Sequence, residues 1–102
     1  YNALKAAVMN YSAAMAQTLA PAGIRVNCIT PGPVWTDDGP WPQIKEAAPE
    51  FFESIVAKLP LGKLTSGEDM ARTTAFAVSP ACMTMTGANI VVDSGLTQRV
   101  QF

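Results

Sequence analysis

The sequence predicts an α/β fold in which helices alternate with parallel strands. Segments with helical spacing of apolar residues alternate with two short segments rich in β-branched residues, each of which is bounded by glycine or proline. Of the 102 residues, 49% are apolar and 15% are charged, which fits a globular α/β unit. Two strands do not form a stable open sheet alone, so further parallel strands are expected beside them.

The first element is a helix predicted over residues 2–20, followed closely by a strand. Apolar residues recur every three or four positions and form one stripe, which consists of Leu4, Ala7, Val8, Tyr11, Met15 and Leu19. The sequence "APAG" ends this helix, and "IRVNCIT" predicts a strand from about residue 24 to residue 30. A helix joined to a strand by a short loop is half of an α/β unit.

The middle of the chain is predicted as a loop and two short helices. Residues 31–43 contain four prolines and two glycines and are therefore predicted as a loop. "IKEAA" and "PEFFESIVAKL" follow as short helices. A longer helix is predicted within "LTSGEDMARTTAFAVSP", capped by Thr65 or Ser66, and the last strand is centred on residues 90–92.

Composition argues against several classes of function. The net charge of −1 and the lack of a basic patch argue against nucleic-acid binding. No apolar run approaches the roughly 18 residues that span a bilayer, so no membrane association is expected and the cytoplasm is the default location. The chain has no histidine, and Cys28 and Cys82 lie far apart, so we predict no metal site and two buried free thiols.

The opening "YNALK" places a phenol and an ammonium one helical turn apart. Tyr1 and Lys5 are four residues apart and would lie on one face of the first helix. A phenol has a pKa of about 10, and a neighbouring ammonium favours its ionised form, so such a tyrosine could exchange a proton near neutral pH. Tyrosine and lysine at this spacing are also common on helices, and the pair alone could be incidental.

A second candidate lies in "TPGPVWT", directly after the first predicted strand. Pro31 and Gly32 stand at the carboxyl end of that strand, where open α/β sheets bind ligands, and a glycine there permits close approach of a cofactor. Taken alone, the segment is better interpreted as a plain turn in which Thr36 is a cap.

Together, "YNALK", "APAGIRVNCITPGPVWT", "PLGKLTSGEDMARTTAFAVS" and "MTGANIVVDSG" resemble the short-chain dehydrogenase/reductase family in order and spacing. The resemblance implies the carboxyl-terminal part of a Rossmann-like, doubly wound parallel sheet that uses NAD or NADP. Tyr1 matches the catalytic acid/base, and Lys5 matches the lysine that holds the nicotinamide ribose and lowers the pKa of the tyrosine. The residues matching the cofactor-binding loop are Pro31, Gly32, Val34 and Thr36.

The resemblance also implies what the chain lacks. No GxGxxG or related glycine cluster occurs in the 102 residues. We therefore expect residues 1–102 to be the carboxyl-terminal part of one Rossmann-like domain, beginning at the catalytic tyrosine, with the dinucleotide-binding half absent. Two positions depart from the family pattern, since Ser94 replaces a usual glycine and Leu4 replaces a usual small residue.

The implied activity is NAD(P)-dependent interconversion of a secondary alcohol and a ketone, and the fragment itself is expected to be inactive. Residues 37–58 match the family's substrate-binding segment, with two short helices. An apolar substrate pocket there, or equally a small local core, is expected from the aromatic residues Trp35, Trp41, Phe51 and Phe52. A homotetrameric parent protein is also expected. The alternative is a non-catalytic piece that retains only surfaces for oligomerisation.

Overall fold

The computed structural model describes residues 1–98, which divide into two compact units. One unit contains Tyr1–Thr30 and Arg72–Ile90, and the other contains Pro31–Ala71 with residues 91–98. The helices are α1 (Asn2–Leu19), α2 (Pro40–Ala47), α3 (Pro49–Val56) and α4 (Gly67–Val78). The strands are β1 (Cys28–Pro31), β2 (Val34–Trp35), β3 (Thr65–Ser66) and β4 (Asn89–Val92).

The strands form two small sheets, which confirms the predicted α/β class. β1 pairs with β4, and β2 pairs with β3. The β2–β3 pairing is parallel, with Val34 opposite Thr65 and Trp35 opposite Ser66. Parallel strands separated by helices are the arrangement that the sequence predicts.

Helix α1 confirms the first predicted element, and its apolar stripe is largely exposed. The helix ends in a short 3₁₀ turn, after which Gly23 adopts a left-handed φ of 74° and donates its N–H to the Ala20 carbonyl at 2.9 Å. Ala16 is buried. Much of the stripe faces outward, since Leu4 is 73% exposed and Tyr11 is 65% exposed.

The predicted first strand is shorter than expected. It begins at Cys28 rather than near residue 24, and polar side chains take up several of the backbone groups next to it. Asn27 donates its side-chain amide to the Met85 carbonyl at 2.9 Å and accepts from the Ala88 N–H at 3.0 Å. The Thr86 hydroxyl accepts from the Val26 N–H at 3.1 Å.

Arg25 joins this segment to the end of α4. Its guanidinium donates to the Ala77 carbonyl at 2.8 Å and to the Met85 carbonyl at 3.0 Å. The last carbonyls of a helix have no partner within the helix and carry partial negative charge, so a cation is favourable there. One side chain thus stabilises the end of α4 and the turn before β4.

The prediction that residues 31–43 form only a loop is wrong. Val34 and Trp35 form β2, and α2 begins at Pro40. Proline fits the first turn of a helix because its missing N–H would have no partner within the helix there. The prolines interrupt regular structure in this segment without preventing it.

The start of α4 agrees with the predicted cap, and Ser66 is the capping residue of the two candidates. Its hydroxyl oxygen accepts from the Asp69 N–H at 3.0 Å and donates to the Asp69 carboxylate at 2.6 Å. Thr65 is buried in β3 instead.

The two cysteines differ in part from the prediction of buried free thiols. Cys28 and Cys82 are free, as predicted, but both are half-buried rather than buried. Across residues 1–98, no helix combines the length and the apolar character that crossing a bilayer requires.

Candidate active site

The four-residue spacing at the start of α1 brings Lys5 to the ring of Tyr1. Tyr1 is the N-cap residue of α1, and its carbonyl accepts from the Lys5 N–H at 3.1 Å. The Lys5 ammonium nitrogen lies 5.4 Å from the centroid of the Tyr1 ring, within the range of a cation–π contact. Tyr1 is 87% exposed, so a ligand can reach both groups. A phenol and an ammonium at this separation can hold hydroxyl groups and exchange a proton.

In the other unit, Gly32 lies against the end of β4. Its N–H donates to the Val92 carbonyl at 2.9 Å. A Cβ atom at this position would lie 2.7 Å from both Cα and Cβ of Asp93. The lack of a side chain at Gly32 therefore makes room for Asp93, and the contact of Gly32 with a cofactor stays a prediction. Pro31, the residue before it, is exposed at the end of β1.

Val34 and Thr36 lie on either side of Trp35, where β2 leads into α2. Val34 is half-buried in β2. The Thr36 carbonyl accepts from the Gly39 N–H at 3.1 Å. A Cβ atom on Gly39 would lie 2.5 Å from the Thr36 hydroxyl oxygen, so the absence of a side chain at Gly39 leaves room for that hydroxyl.

Three of the four aromatic residues predicted for the substrate segment form one cluster. The ring centroids of Trp35 and Phe52 are 6.0 Å apart, and those of Trp41 and Phe52 are 6.3 Å apart, both in edge-on geometry. Phe51, the fourth, is 53% exposed. The three rings contact one another and are each half-buried, so a local core and a substrate-lining surface both stay predictions.

Lys45 belongs to this cluster, although sequence reasoning did not select it. Its ammonium nitrogen lies 5.8 Å from the Trp35 ring centroid and 5.5 Å from that of Phe52. The available signal was its position four residues after Trp41 in a short helix, which places the two side chains on one face.

Asp93 is a second residue that sequence reasoning missed. One of its carboxylate oxygens accepts from the Gly95 N–H at 3.0 Å, and the other accepts from the Thr97 N–H at 2.8 Å and the Thr97 hydroxyl at 2.7 Å. The Thr97 hydroxyl, followed by these backbone N–H groups, lowers the pKa of Asp93 despite its burial. The available signal was an aspartate in "DSG", a typical start for an Asx turn.

Ser94, the position where the family usually has glycine, adopts a left-handed backbone. Its φ is 57°, a region that residues other than glycine rarely occupy. Its hydroxyl lies 3.2 Å from that of Thr65, and both side chains are buried. The usual glycine is thus explained by backbone conformation, and the serine adds a hydrogen bond to β3.

Comparison with known proteins identifies the family. The model of a family described as enoyl-(acyl carrier protein) reductase matches residues 1–97. The isoepoxydon dehydrogenase of Aspergillus clavatus is 36% identical over 102 residues, which are 100% of this chain and 39% of that protein. The chain therefore spans about two-fifths of the length of this curated relative.

Similarity to solved structures supports the same family. A short chain oxidoreductase from Pseudomonas aeruginosa PAO1, bound to NADPH and described as containing an atypical catalytic center, superposes with a TM-score of 0.83. It is 35% identical, over 96% of this chain and 38% of that chain. L-sorbose reductase from Gluconobacter frateurii, complexed with NADPH and L-sorbose, superposes with a TM-score of 0.83 at 28% identity, over 98% of this chain and 41% of that chain. On the matched sequence, the parallel α/β fold and these superpositions, the chain belongs to the short-chain dehydrogenase/reductase family.

Proposed function

We propose that this chain is the carboxyl-terminal part of an NAD(P)-dependent oxidoreductase that interconverts a secondary alcohol and a ketone. The observation that carries the proposal is the Lys5 ammonium 5.4 Å from the ring of an exposed Tyr1, in a member of this family. Two of its structural relatives are described as NADPH complexes, which supports a nicotinamide cofactor.

In this proposal Tyr1 transfers the proton and Lys5 supports it. During alcohol oxidation the Tyr1 oxygen takes the hydroxyl proton of the substrate, and during ketone reduction it returns a proton to the oxygen. The Lys5 ammonium, which lies over the Tyr1 ring, can donate hydrogen bonds to ribose hydroxyls. The nicotinamide, when bound, supplies or accepts the hydride.

The residues present fit the nicotinamide end of the cofactor and not the whole of it. Lys5 offers three donors, which suit the hydroxyl groups of a ribose. No glycine-rich turn for a pyrophosphate occurs in the 102 residues. We therefore propose that residues 1–102 by themselves are inactive and need a further part of the protein that binds the pyrophosphate.

The proposed substrate is a small alcohol or ketone. We propose that it contacts the aromatic cluster of Trp35, Trp41 and Phe52, in and next to the substrate segment 37–58. Trp35, Trp41 and Phe52 form a largely apolar surface. Phe51, exposed on α3, remains a candidate for direct substrate contact. An isoepoxydon dehydrogenase and an L-sorbose reductase are among the relatives, which supports a small-molecule substrate.

The proposal is tested by titrating the full-length protein with NADH and NADPH while recording nicotinamide fluorescence. We expect saturable binding of at least one of them. We expect Lys5→Ala to weaken that binding at least tenfold and to lower kcat, because one ammonium serves the ribose and the phenol. Lys63→Ala, which removes another exposed lysine, is the matched control and should stay within twofold.

Two outcomes would contradict the proposal. Loss of rate in Lys5→Ala with unchanged cofactor affinity would reject the dual role of Lys5. No saturable binding by the unaltered full-length protein would favour the alternative, a non-catalytic piece that retains only surfaces for oligomerisation.

We also propose that the full-length protein is a homotetramer. The exposed apolar side chains of α1, among them Leu4, Val8 and Tyr11, support burial of this face in an assembly. A monomer in sedimentation at micromolar concentration would contradict the proposal. A cytoplasmic location stays a prediction.

A further inference from the structure

The turn that follows β4, residues 93–97, contacts the predicted cofactor loop, residues 31–36. Gly32 approaches Asp93 so closely that a Cβ atom would lie 2.7 Å from Asp93 Cα. Its N–H is bonded to the carbonyl of Val92, the residue before the turn. Any displacement of the Asp93 backbone would therefore displace Gly32.

The same turn supports the cofactor loop a second time, through β3. The hydroxyls of Ser94 and Thr65 lie 3.2 Å apart and are buried. The Thr65 N–H donates to the Pro33 carbonyl at 3.1 Å, and Thr65 pairs with Val34. The loop is thus held at Gly32 directly and at residues 33–34 through Thr65.

A third contact reaches the chain just after the predicted substrate segment. The Leu61 N–H donates to the Ser94 carbonyl at 3.3 Å. A Cβ atom on Gly95 would lie 3.1 Å from Pro60, so the turn packs tightly there as well. The 93–97 turn therefore contacts the cofactor loop, β3 and the chain just after the substrate segment.

The shape of this turn depends on one carboxylate. Asp93 receives hydrogen bonds from the Gly95 N–H, the Thr97 N–H and the Thr97 hydroxyl, at 2.7–3.0 Å. All three donors belong to the turn itself. A left-handed Ser94 lies between Asp93 and Gly95, a conformation that persists only where its surroundings hold it.

We infer that Asp93 is a positioning residue for the proposed reaction, because its carboxylate fixes the turn that places the cofactor loop through Gly32 and Thr65. The inference rests on the proposed function. Asp93 acts through Gly32 and Thr65 on the position of the cofactor loop. Loss of the Asp93 carboxylate should therefore raise the KM for the cofactor.

The test is Asp93→Asn in the full-length protein, at a temperature where the variant is folded. Nicotinamide fluorescence measures the Kd of the cofactor, and steady-state kinetics measures the cofactor KM and kcat. The amide has nearly the same shape, but its NH₂ must face the N–H of either Gly95 or Thr97, and both are donors. We expect the cofactor KM to rise at least tenfold. Thr97→Val, which removes only the hydroxyl donor, should raise it about threefold, and Thr97→Ser should restore it.

The control is Arg25→Met, which removes hydrogen bonds in the other unit and should destabilise the protein without changing the cofactor KM. Two results would overturn this inference but not the proposed function. One is a cofactor KM in Asp93→Asn within twofold of that of the unaltered protein, and the other is an equal rise of the cofactor KM in Arg25→Met. If Asp93→Asn fails to fold, an unchanged KM in Thr97→Val overturns it. If the unaltered protein shows no saturable binding of NADH or NADPH, the proposed function falls and the inference falls with it.

Discussion

Replacing Gly32 by alanine tests the packing that supports the predicted cofactor loop. The new Cβ would lie 2.7 Å from Cα and Cβ of Asp93, whereas carbon atoms in contact are ordinarily about 3.5–4.0 Å apart. Asp93 Cα is backbone, and its carboxylate is held by three hydrogen bonds, so neither atom can move away freely. Overpacking of this kind costs about 1–3 kcal/mol, and the less flexible unfolded chain offsets about 0.4–1 kcal/mol.

We therefore expect Gly32→Ala to lower the free energy of unfolding by about 1–2 kcal/mol. Urea denaturation of the full-length protein, followed by circular dichroism, measures this change, and a cofactor titration should show a raised KM. Gly23→Ala is the matched control, because a Cβ there meets nothing within 4 Å and only the left-handed φ of 74° is penalised. It should lower stability and leave the cofactor KM unchanged. A change below about 0.5 kcal/mol in Gly32→Ala would refute the steric argument.

Two further predictions concern stability. Arg25→Met should lower the free energy of unfolding by about 2–3 kcal/mol, because the charged hydrogen bonds at the end of α4 are lost. Urea denaturation measures this change, and Arg25→Lys should recover part of the lost stability. The pKa of Asp93 is held below its ordinary 3.8, so its ionised form stabilises the folded state fully above that pH, and the contribution is lost as the pH falls through the lowered pKa. The destabilisation caused by Asp93→Asn should therefore be largest near neutral pH and shrink below about pH 4. Urea denaturation at several pH values measures the difference in free energy of unfolding between the variant and the unaltered protein, and a difference that stays constant with pH would contradict the prediction.

The order of the main elements could be predicted because their signals are local. The apolar stripe of α1 and the cap of α4 at Ser66 each depend on residues within a few positions of one another. The same holds for Tyr1 and Lys5, whose spacing on a helix dictates that their side chains meet.

The features that sequence reasoning missed depend on distant partners. Just before the strand that follows α1, Asn27 bonds to Met85 and Ala88, about 60 residues away. The need for glycine at position 32 is set by Asp93, which lies equally far along the chain. Neither contact leaves a periodic pattern in the sequence, so only the folded structure reveals it.

The helix start at Pro40 was missed for a different reason. Proline and glycine usually interrupt regular structure, but Gly39 precedes this helix and Pro40 occupies its first turn, where proline is favourable. Position relative to the helix start, more than composition, decides what proline does.

The central claim is that the Tyr1 oxygen carries the proton of the proposed reaction, and Tyr1→Phe in the full-length protein tests it most directly. The measurement is turnover of NADPH or NADH with an alcohol or ketone that the unaltered protein accepts, together with cofactor affinity. The account predicts that turnover is abolished while cofactor affinity stays within a few-fold, because only the proton-carrying oxygen is removed. Turnover within tenfold of the unaltered protein would contradict it.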